Sequence, residues 1–235
     1  MSAIYKRELK SYFTTPIGFI FFAVFFAVSG FALCYTTLLA GEDSSVGTYF
    51  SIMIFILAIM LPILTMKLFA DDRRTKTEQL LLTSPVSLTG MIFAKYLAAL
   101  TMYAGALLIS SLNFLILNAF GKPPTAIIIG NTVAIFLLGA AFIAVGALMS
   151  SLTESQLIAS ISSMLVILLF VLTTFITTYI PVEFIRVIIK WFSVVDRMTP
   201  FTSGMISLSS LIYFISFTFL FLFLTVRVYE KRRWS

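Results

Sequence analysis

Six stretches of this chain contain no charged residue over at least 23 consecutive positions. They are Ser11–Gly41, Ser44–Met66, Tyr96–Gly121, Pro123–Thr153, Ser155–Val182 and Met198–Val226. An α-helix rises about 1.5 Å per residue and the hydrocarbon core of a bilayer is about 30 Å thick, so about 20 apolar residues can cross it. The sequence therefore predicts an all-α integral membrane protein with six transmembrane helices.

The composition agrees with this fold class, because 60% of the 235 residues are hydrophobic and only 11% are charged. The helices are expected at about Pro16–Leu39, Tyr49–Leu68, Met91–Asn118, Ile127–Leu152, Leu157–Ile180 and Ser207–Val228. Only short connections remain between them. Residues 1–235 are therefore expected to form a single membrane domain.

The distribution of lysine and arginine predicts the orientation of the helices. Twelve of these residues lie before the first helix, around the connection between the second and third helices, and in the C-terminal tail. Four lie in the alternate connections: Lys122, Arg186, Lys190 and Arg197. Since cytoplasmic loops carry the excess of positive charge, both termini are expected in the cytoplasm of a multi-pass protein of the cell membrane, that is, the plasma or inner membrane.

Two short segments have the pattern of helices that lie on the membrane surface. Before the first transmembrane helix, apolar residues such as Tyr5, Leu9 and Tyr12 recur at helical spacing, which predicts an interfacial helix; simple positively charged anchoring is the alternative. Between the fifth and sixth helices, Glu183 and Lys190 share a polar edge within a largely apolar segment. This pattern favours an amphipathic helix at the outer face over a plain loop.

Several classes of function are disfavoured by what the sequence lacks. The chain has no histidine and one cysteine, Cys34, so it has no thiolate or imidazole cluster for a metal. It has no GxxxxGK[ST] loop for binding ATP, and its basic residues flank apolar runs as topology signals do, which argues against nucleic-acid binding. The charge-free runs also lack the ionisable residues with which carriers couple ions. Among the polar residues within these runs, Asn113 is a weak candidate for a substrate contact, with interhelical hydrogen bonding as the alternative.

The connection between the second and third helices carries the most specific pattern. Its charged start leads into Thr77-Glu78-Gln79-Leu80-Leu81-Leu82, followed by Ser84-Pro85-Val86 and Lys95. A solvated charge run does not explain the leucine triplet, which needs a partner surface or the membrane to cover it. A second pattern runs from Gly146 through Ser150–Gln156.

These two patterns and the order of features resemble the type-2 permease family of ABC transporters, whose exporter-like membrane subunits have six helices. Ala94 stands where the family pattern has glycine before Lys95. The opening at 6–10 and the tail at 229–234 look most like the branch of gliding-motility permeases.

The resemblance implies an export permease that pairs with a second copy or a related permease and docks on two ABC ATP-binding subunits. Phe69–Pro85 would form the coupling helix, and a shorter contact would include Glu154. The residues implied in coupling to the ATPase are Arg73, Arg74, Glu78, Leu81, Leu82 and Glu154. The chain itself would be no enzyme and need no cofactor, because ATP and magnesium would bind to the partner subunits, and substrate contacts would come from the second and fifth helices.

Two functions of other classes remain as alternatives. An energy-independent channel or carrier is compatible with a chain that binds no nucleotide. A membrane anchor that recruits a complex without transport is the other.

Overall fold

The computed structural model describes residues 1–38, 46–78, 87–114, 125–179, 182–202, 204–205 and 207–233. Helices and turns account for these residues, with no strand among them. Six helical segments in the described chain are long and apolar enough to cross a membrane. The prediction of an all-α membrane protein with six spans is therefore confirmed.

The helices are numbered here in chain order. They are α1 (Ser2–Thr14), α2 (Pro16–Leu33), α3 (Val46–Thr65), α4 (Lys67–Arg74), α5 (Leu88–Ser110), α6 (Thr125–Leu152), α7 (Gln156–Tyr179), α8 (Glu183–Phe192), α9 (Thr199–Thr202) and α10 (Leu208–Arg233). The two segments predicted to lie outside the spans, before the first helix and between the fifth and sixth, are helical as α1 and α8.

Helix α6 is the central element of the bundle and packs against α3, α5, α7 and α10. Small residues allow this close packing. A Cβ added at Gly139 would overlap the ring of Tyr103, whose hydroxyl donates to the carbonyl of Ile135 at 2.7 Å. The small-residue stripe of the same helix, formed by Ala140, Ala144, Ala147 and Ser151, is buried within the chain itself.

The outer helices leave large apolar side chains on the surface. On α7, Leu165 and Leu169 are each 63% exposed and lie on the same helix face. A soluble protein would bury such a face, whereas in a membrane the lipid tails cover it. The bundle is therefore packed around α6 and apolar on its outside.

Several helix boundaries differ from the sequence prediction. The first transmembrane helix changes to a π-helical turn over Cys34–Leu38. The third begins at Leu88, where the Ser87 hydroxyl accepts a hydrogen bond from the Gly90 amide at 3.2 Å and caps the helix. It ends at Ser110, where the chain turns at residues 111–112 before becoming helical again at 113–114; residues 115–124, which include the expected end at Asn118, lie outside the description.

Candidate functional site

Charged side chains from five parts of the chain meet at one end of the bundle, here called the charged end. It is formed by α1, the region 66–78, the first turns of α5, the short link 153–155 and the last turns of α10. The first and last described helices thus lie at the same end, as an even number of spans requires. Most of the residues expected in coupling lie here.

The second transmembrane helix is interrupted where it approaches the charged end. Pro62 has no amide hydrogen and removes one hydrogen bond from α3. The helix is interrupted at the single residue Met66, whose backbone stays in the right-handed helical region, before α4 continues to Arg74. The Thr65 hydroxyl donates to the Leu61 carbonyl of its own helix at 3.0 Å.

Side chains from three other elements satisfy the backbone around this break. Tyr12 of α1 donates to the Leu64 carbonyl at 3.2 Å, and Lys95 of α5 donates to the Leu68 carbonyl at 2.6 Å. Ser150 of α6 donates to the Met66 carbonyl at 3.0 Å. Its oxygen also accepts hydrogen bonds from the amides of residues 69 and 70, at 3.0 and 3.1 Å. The break is therefore held in place by α1, α5 and α6 together.

Tyr12 suits this role because it stays protonated. Its side chain is buried between α1 and the bundle, and burial raises the pKa of the Tyr12 phenol well above its usual value, with a smaller contribution from the charge of Glu8. The hydroxyl hydrogen is therefore retained at any physiological pH. Helix α1 is thereby fixed to the bundle by a neutral hydrogen bond.

Lys95 lies at the centre of a buried ion cluster. Its side chain is only 2% exposed, and its Nζ lies 3.1 Å from Glu8 Oε1 and 2.6 Å from Asp72 Oδ2. Arg7 completes the cluster, at 2.6 Å from Glu8 and 3.7 Å from Asp72. Two cations and two carboxylates balance, so burial leaves no net charge to be solvated. The cluster joins α1, α4 and α5.

A second ion network lies closer to the surface and contains three of the predicted coupling residues. Arg73 contacts Glu154 at 2.9 Å and Glu78 at 3.6 Å. Arg232 of α10 contacts Glu78 at 3.3 Å and donates to the carbonyl of Ser151 at 2.5 Å. Arg73 also donates to the Leu152 carbonyl at 3.0 Å. The coupling region, the end of α6 and the C-terminal helix are thus connected.

The remaining candidate residues are placed less centrally. Arg74 pairs with Asp71 at 3.0 Å on the exposed side of α4, and Asp71 also accepts a hydrogen bond from Gln156 at 2.8 Å. Leu81 and Leu82 lie outside the described residues. Asn113 is half-buried, lies in the short helical stretch 113–114 that follows the turn after α5, and is far from the charged end.

The region expected to form the coupling helix is interrupted. Helix α4 covers its first part and ends at Arg74, after which Lys76 adopts a left-handed backbone conformation with φ of 58°. The Thr77 hydroxyl then donates to Asp72 at 2.9 Å, and this bond folds the chain back against α4. Glu78 is brought between Arg73 and Arg232 by this turn.

Several residues of the charged end were not identified from the sequence as site residues, among them Arg7, Glu8, Asp72, Lys95 and Arg232. Lys95 was counted with the charges around the second cytoplasmic connection and as part of the family pattern, although a helix starting at Met91 already includes it. The serine cap at Ser87 is the signal that was missed, since a helix starting there places Lys95 two turns inside it. Glu8 lies 87 residues from Lys95 in sequence, and no local pattern connects them.

The arrangement can transmit movement from one helix to several others. The described residues include no group of three His, Cys, Asp or Glu side chains placed to hold a metal ion. What the charged end offers is an interrupted helix, side chains that fix the interruption, and ion pairs that connect it to the rest of the bundle.

Comparison with known proteins places the whole bundle in a family. The family described as ABC-2 family transporter protein matches residues 35–229, which include the second to fifth membrane-spanning segments and most of the sixth, but only the last two residues of the first. No curated protein matches the chain.

Proposed function

The chain belongs to the ABC-2 transporter family, and from that membership we propose that it is the permease of an ATP-driven exporter. A multi-pass membrane subunit of an ABC transporter is the role that this family provides. Direction, ATP coupling and the partners are the parts that we propose. A pair of permeases, either two copies or two related chains, would dock on two ATP-binding subunits.

This proposal rests on the interrupted helix at the charged end and on the ion pairs that connect it to other helices. Helix α4 extends the second transmembrane helix beyond the Met66 break, and it is connected by ion pairs to α1, α5 and the link that follows α6. A force applied to α4 would therefore reach several transmembrane helices at once. A permease that is driven by separate ATP-binding subunits needs such a connection between its helices.

In the proposed mechanism, ATP closes the two ATP-binding subunits against each other, and they pull on the surface formed by α4, Glu78 and Glu154. Helix α4 would then pivot at Met66, where the backbone hydrogen bonds are made by side chains rather than by the helix itself. The transmembrane helices would respond by opening toward one side. ATP and magnesium would bind only to the partner subunits.

The orientation follows from the same assignment. The charged end would face the cytoplasm, where the ATP-binding subunits are, and both termini would lie there in the plasma or inner membrane. Residues 1–235 would act as a single permease domain. The excess of lysine and arginine at this end supports this orientation.

Charge reversal at Glu78 tests the coupling. In the assembled transporter, Glu78→Lys would face Arg73 and Arg232, which now hold the glutamate, and it would also repel a basic group on the partner. We expect the variant to insert and assemble but to lose most transport-linked ATP hydrolysis. Glu183→Lys is the matched control, because Glu183 is exposed at the opposite end of the bundle.

Co-purification tests first whether the chain associates with an ATP-binding subunit. The chain, expressed with the genes adjacent to its own, should retain an ABC ATP-binding protein through detergent extraction. Ion flux through liposomes that contain this chain alone would instead support an energy-independent channel. If the partner is retained but its ATP hydrolysis is unchanged by Glu78→Lys, Glu78 does not belong to the coupling surface.

A further inference from the structure

A polar pocket lies at the end of the bundle opposite the charged end. It has a volume of about 460 Å³ and is lined by Lys190, Trp191, Asp196, Arg197 and Thr199. These residues come from the end of α8 and from the 3₁₀ turn that leads into α9. The volume is within the range of ligand-binding pockets, and four of the five lining residues are polar.

Arg197 is held in a fixed position in this pocket. Its guanidinium group lies 5.3 Å from the ring centre of Tyr213 and 6.0 Å from that of Trp191. One of its nitrogens donates to the Ser209 hydroxyl at 3.4 Å. Among the described residues, neither Arg197 nor Lys190 forms an ion pair. The pocket therefore contains two cations whose charge no described carboxylate neutralises through a direct contact.

Asp196 supplies the opposite charge in the same pocket. Its Oδ2 atom is buried and accepts no hydrogen bond from the described part of the chain. A buried carboxylate oxygen without a hydrogen-bond donor is uncommon in folded proteins. The pocket thus brings one carboxylate and two cations together, and no ion pair forms among the three within the described residues.

The floor of the pocket is rigid. The Ser193 hydroxyl caps the Asp196 amide at 3.2 Å and hydrogen-bonds to the Thr174 hydroxyl of α7 at 2.6 Å. Val194, Met198 and Phe201, which flank the turn, are buried. The backbone that carries Asp196 and Arg197 is therefore positioned before any ligand arrives, which lowers the entropic cost of binding.

The surroundings indicate that the ligand comes from the membrane. Arg197 contacts Ser209 and Tyr213 on the first turns of α10, which is a membrane-spanning helix. On the same turns, Leu208 and Ile212 are 70% and 56% exposed, and an acyl chain can lie along them. Trp191 is exposed at the rim, and tryptophan favours the level of the lipid headgroups.

We propose that this pocket binds the headgroup of a zwitterionic phospholipid that carries a primary ammonium. The phosphate would contact Arg197 and Lys190, since a guanidinium matches phosphate geometry. The ammonium would pair with Asp196, and the acyl chains would lie along α10. This site is independent of the proposed coupling to ATP.

Tryptophan fluorescence can test the proposal, because the chain has only two tryptophans, Trp191 and Trp234. In a Trp234→Phe background, Trp191 reports on the pocket alone. Phospholipids with brominated acyl chains, titrated into the detergent-solubilised chain, should quench this fluorescence. We expect phosphatidylethanolamine to half-saturate at a concentration at least about tenfold lower than phosphatidylcholine or phosphatidylglycerol, since each lacks one of the charged hydrogen bonds.

Variants and a soluble competitor complete the test. Arg197→Gln and Asp196→Asn should each remove the preference for phosphatidylethanolamine, whereas Arg186→Gln should retain it, because Arg186 pairs with Glu183 outside the pocket. Equal quenching by the three lipids with the pocket unaltered would overturn the proposal, as would tightest binding of phosphatidylglycerol. Displacement of the brominated lipid by an equal concentration of glycerophosphoethanolamine would overturn the lipid as the source of the headgroup.

Discussion

At the scale of single residues, Lys95 is the side chain whose loss should cost most. Lys95→Met would leave Glu8 and Asp72 buried together without the cation between them. Breaking a buried ion pair in this way typically costs about 3 kcal/mol or more. We expect a clearly lower midpoint of thermal unfolding in detergent.

Lys6→Met is the control for Lys95→Met, because Lys6 is exposed on α1 and forms no ion pair within the described chain. It should leave the midpoint almost unchanged. A Lys95→Met protein as stable as the unaltered chain would mean that the carboxylates find water or each other, and that the cluster does not hold α1.

Ser150 and Ser151 form a natural pair for a second prediction. Both are fully buried, but the Ser150 hydroxyl bridges the Met66 carbonyl and the amides that follow the break, whereas the Ser151 hydroxyl donates only within its own helix, to Leu148. Ser150→Ala should therefore destabilise the protein by about 2 kcal/mol, because buried polar groups lose their partner. Ser151→Ala should cost much less, and equal effects on the free energy of unfolding would refute the bridge.

At the scale of helices, the contact of α6 with α3 depends on Gly146. A Cβ at this position would overlap the Thr65 side chain, so the two helices could not keep their present distance. Gly146→Ala should destabilise the protein by about 1–3 kcal/mol. Adding Thr65→Ala should recover a large part of the loss, and thermal unfolding of the four proteins of this double-mutant cycle measures the coupling.

Gly30→Ala is the control for Gly146→Ala. Gly30 also lies inside a transmembrane helix, but nothing within 4 Å would meet its added methyl group. We expect a neutral or slightly stabilising effect, since alanine favours the helix over glycine. A similar loss at both glycines would point to helix flexibility rather than to packing.

The helices themselves were largely predictable from the sequence, and the breaks within them were not. Charge-free runs locate spans because charge is excluded from the hydrocarbon. The interruption at Met66 depends instead on Ser150, which lies 84 residues further along the chain, and on Tyr12, 52 residues before Leu64. Pro62 was visible in the sequence, but a proline alone does not show which side chains repair its effect.

The same limit applies to the candidate site. Arg73, Glu78 and Glu154 were named from a resemblance in local motifs, and the structure places all three in one network. Their role in coupling stays a prediction. Arg232 completes the network from the far end of the chain, 154 residues from Glu78, where a basic tail is explained equally well by topology.

At the scale of the whole molecule, the orientation can be measured by cysteine accessibility. In a Cys34→Ser background, cysteines that replace Glu183, Arg186 and Lys190 should react with an impermeant thiol reagent added to intact cells. Cysteines at Lys6 and Lys231, at the charged end, should react only after the membrane is permeabilised. Labelling in the reverse order would invert the topology and remove the basis for the exporter.

The same experiment examines whether α8 lies at the outer leaflet. The exposed polar edge of α8 includes Glu183, whose side chain is 84% exposed. Cysteines that replace Ile188 and Phe192 should react poorly if the apolar part of the helix dips into lipid, as its sequence pattern predicts. Uniform reactivity at all five positions would indicate a solvated segment.

Because the helix is interrupted at Met66, α4 can rotate about that residue as a rigid rod. Eight helical residues measure about 12 Å, so a rotation of about 20° at the fulcrum would displace Arg74 by about 4 Å. The same rotation would move Asp72, which lies about 9 Å along the helix from Met66, by about 3 Å, and this would break its contact with Lys95, now 2.6 Å, if α5 did not follow. Any such rotation of α4 must therefore either open the buried ion cluster or move α1 and α5 together with α4. The stability of that cluster then determines how much of the movement of α4 is transmitted to the transmembrane helices.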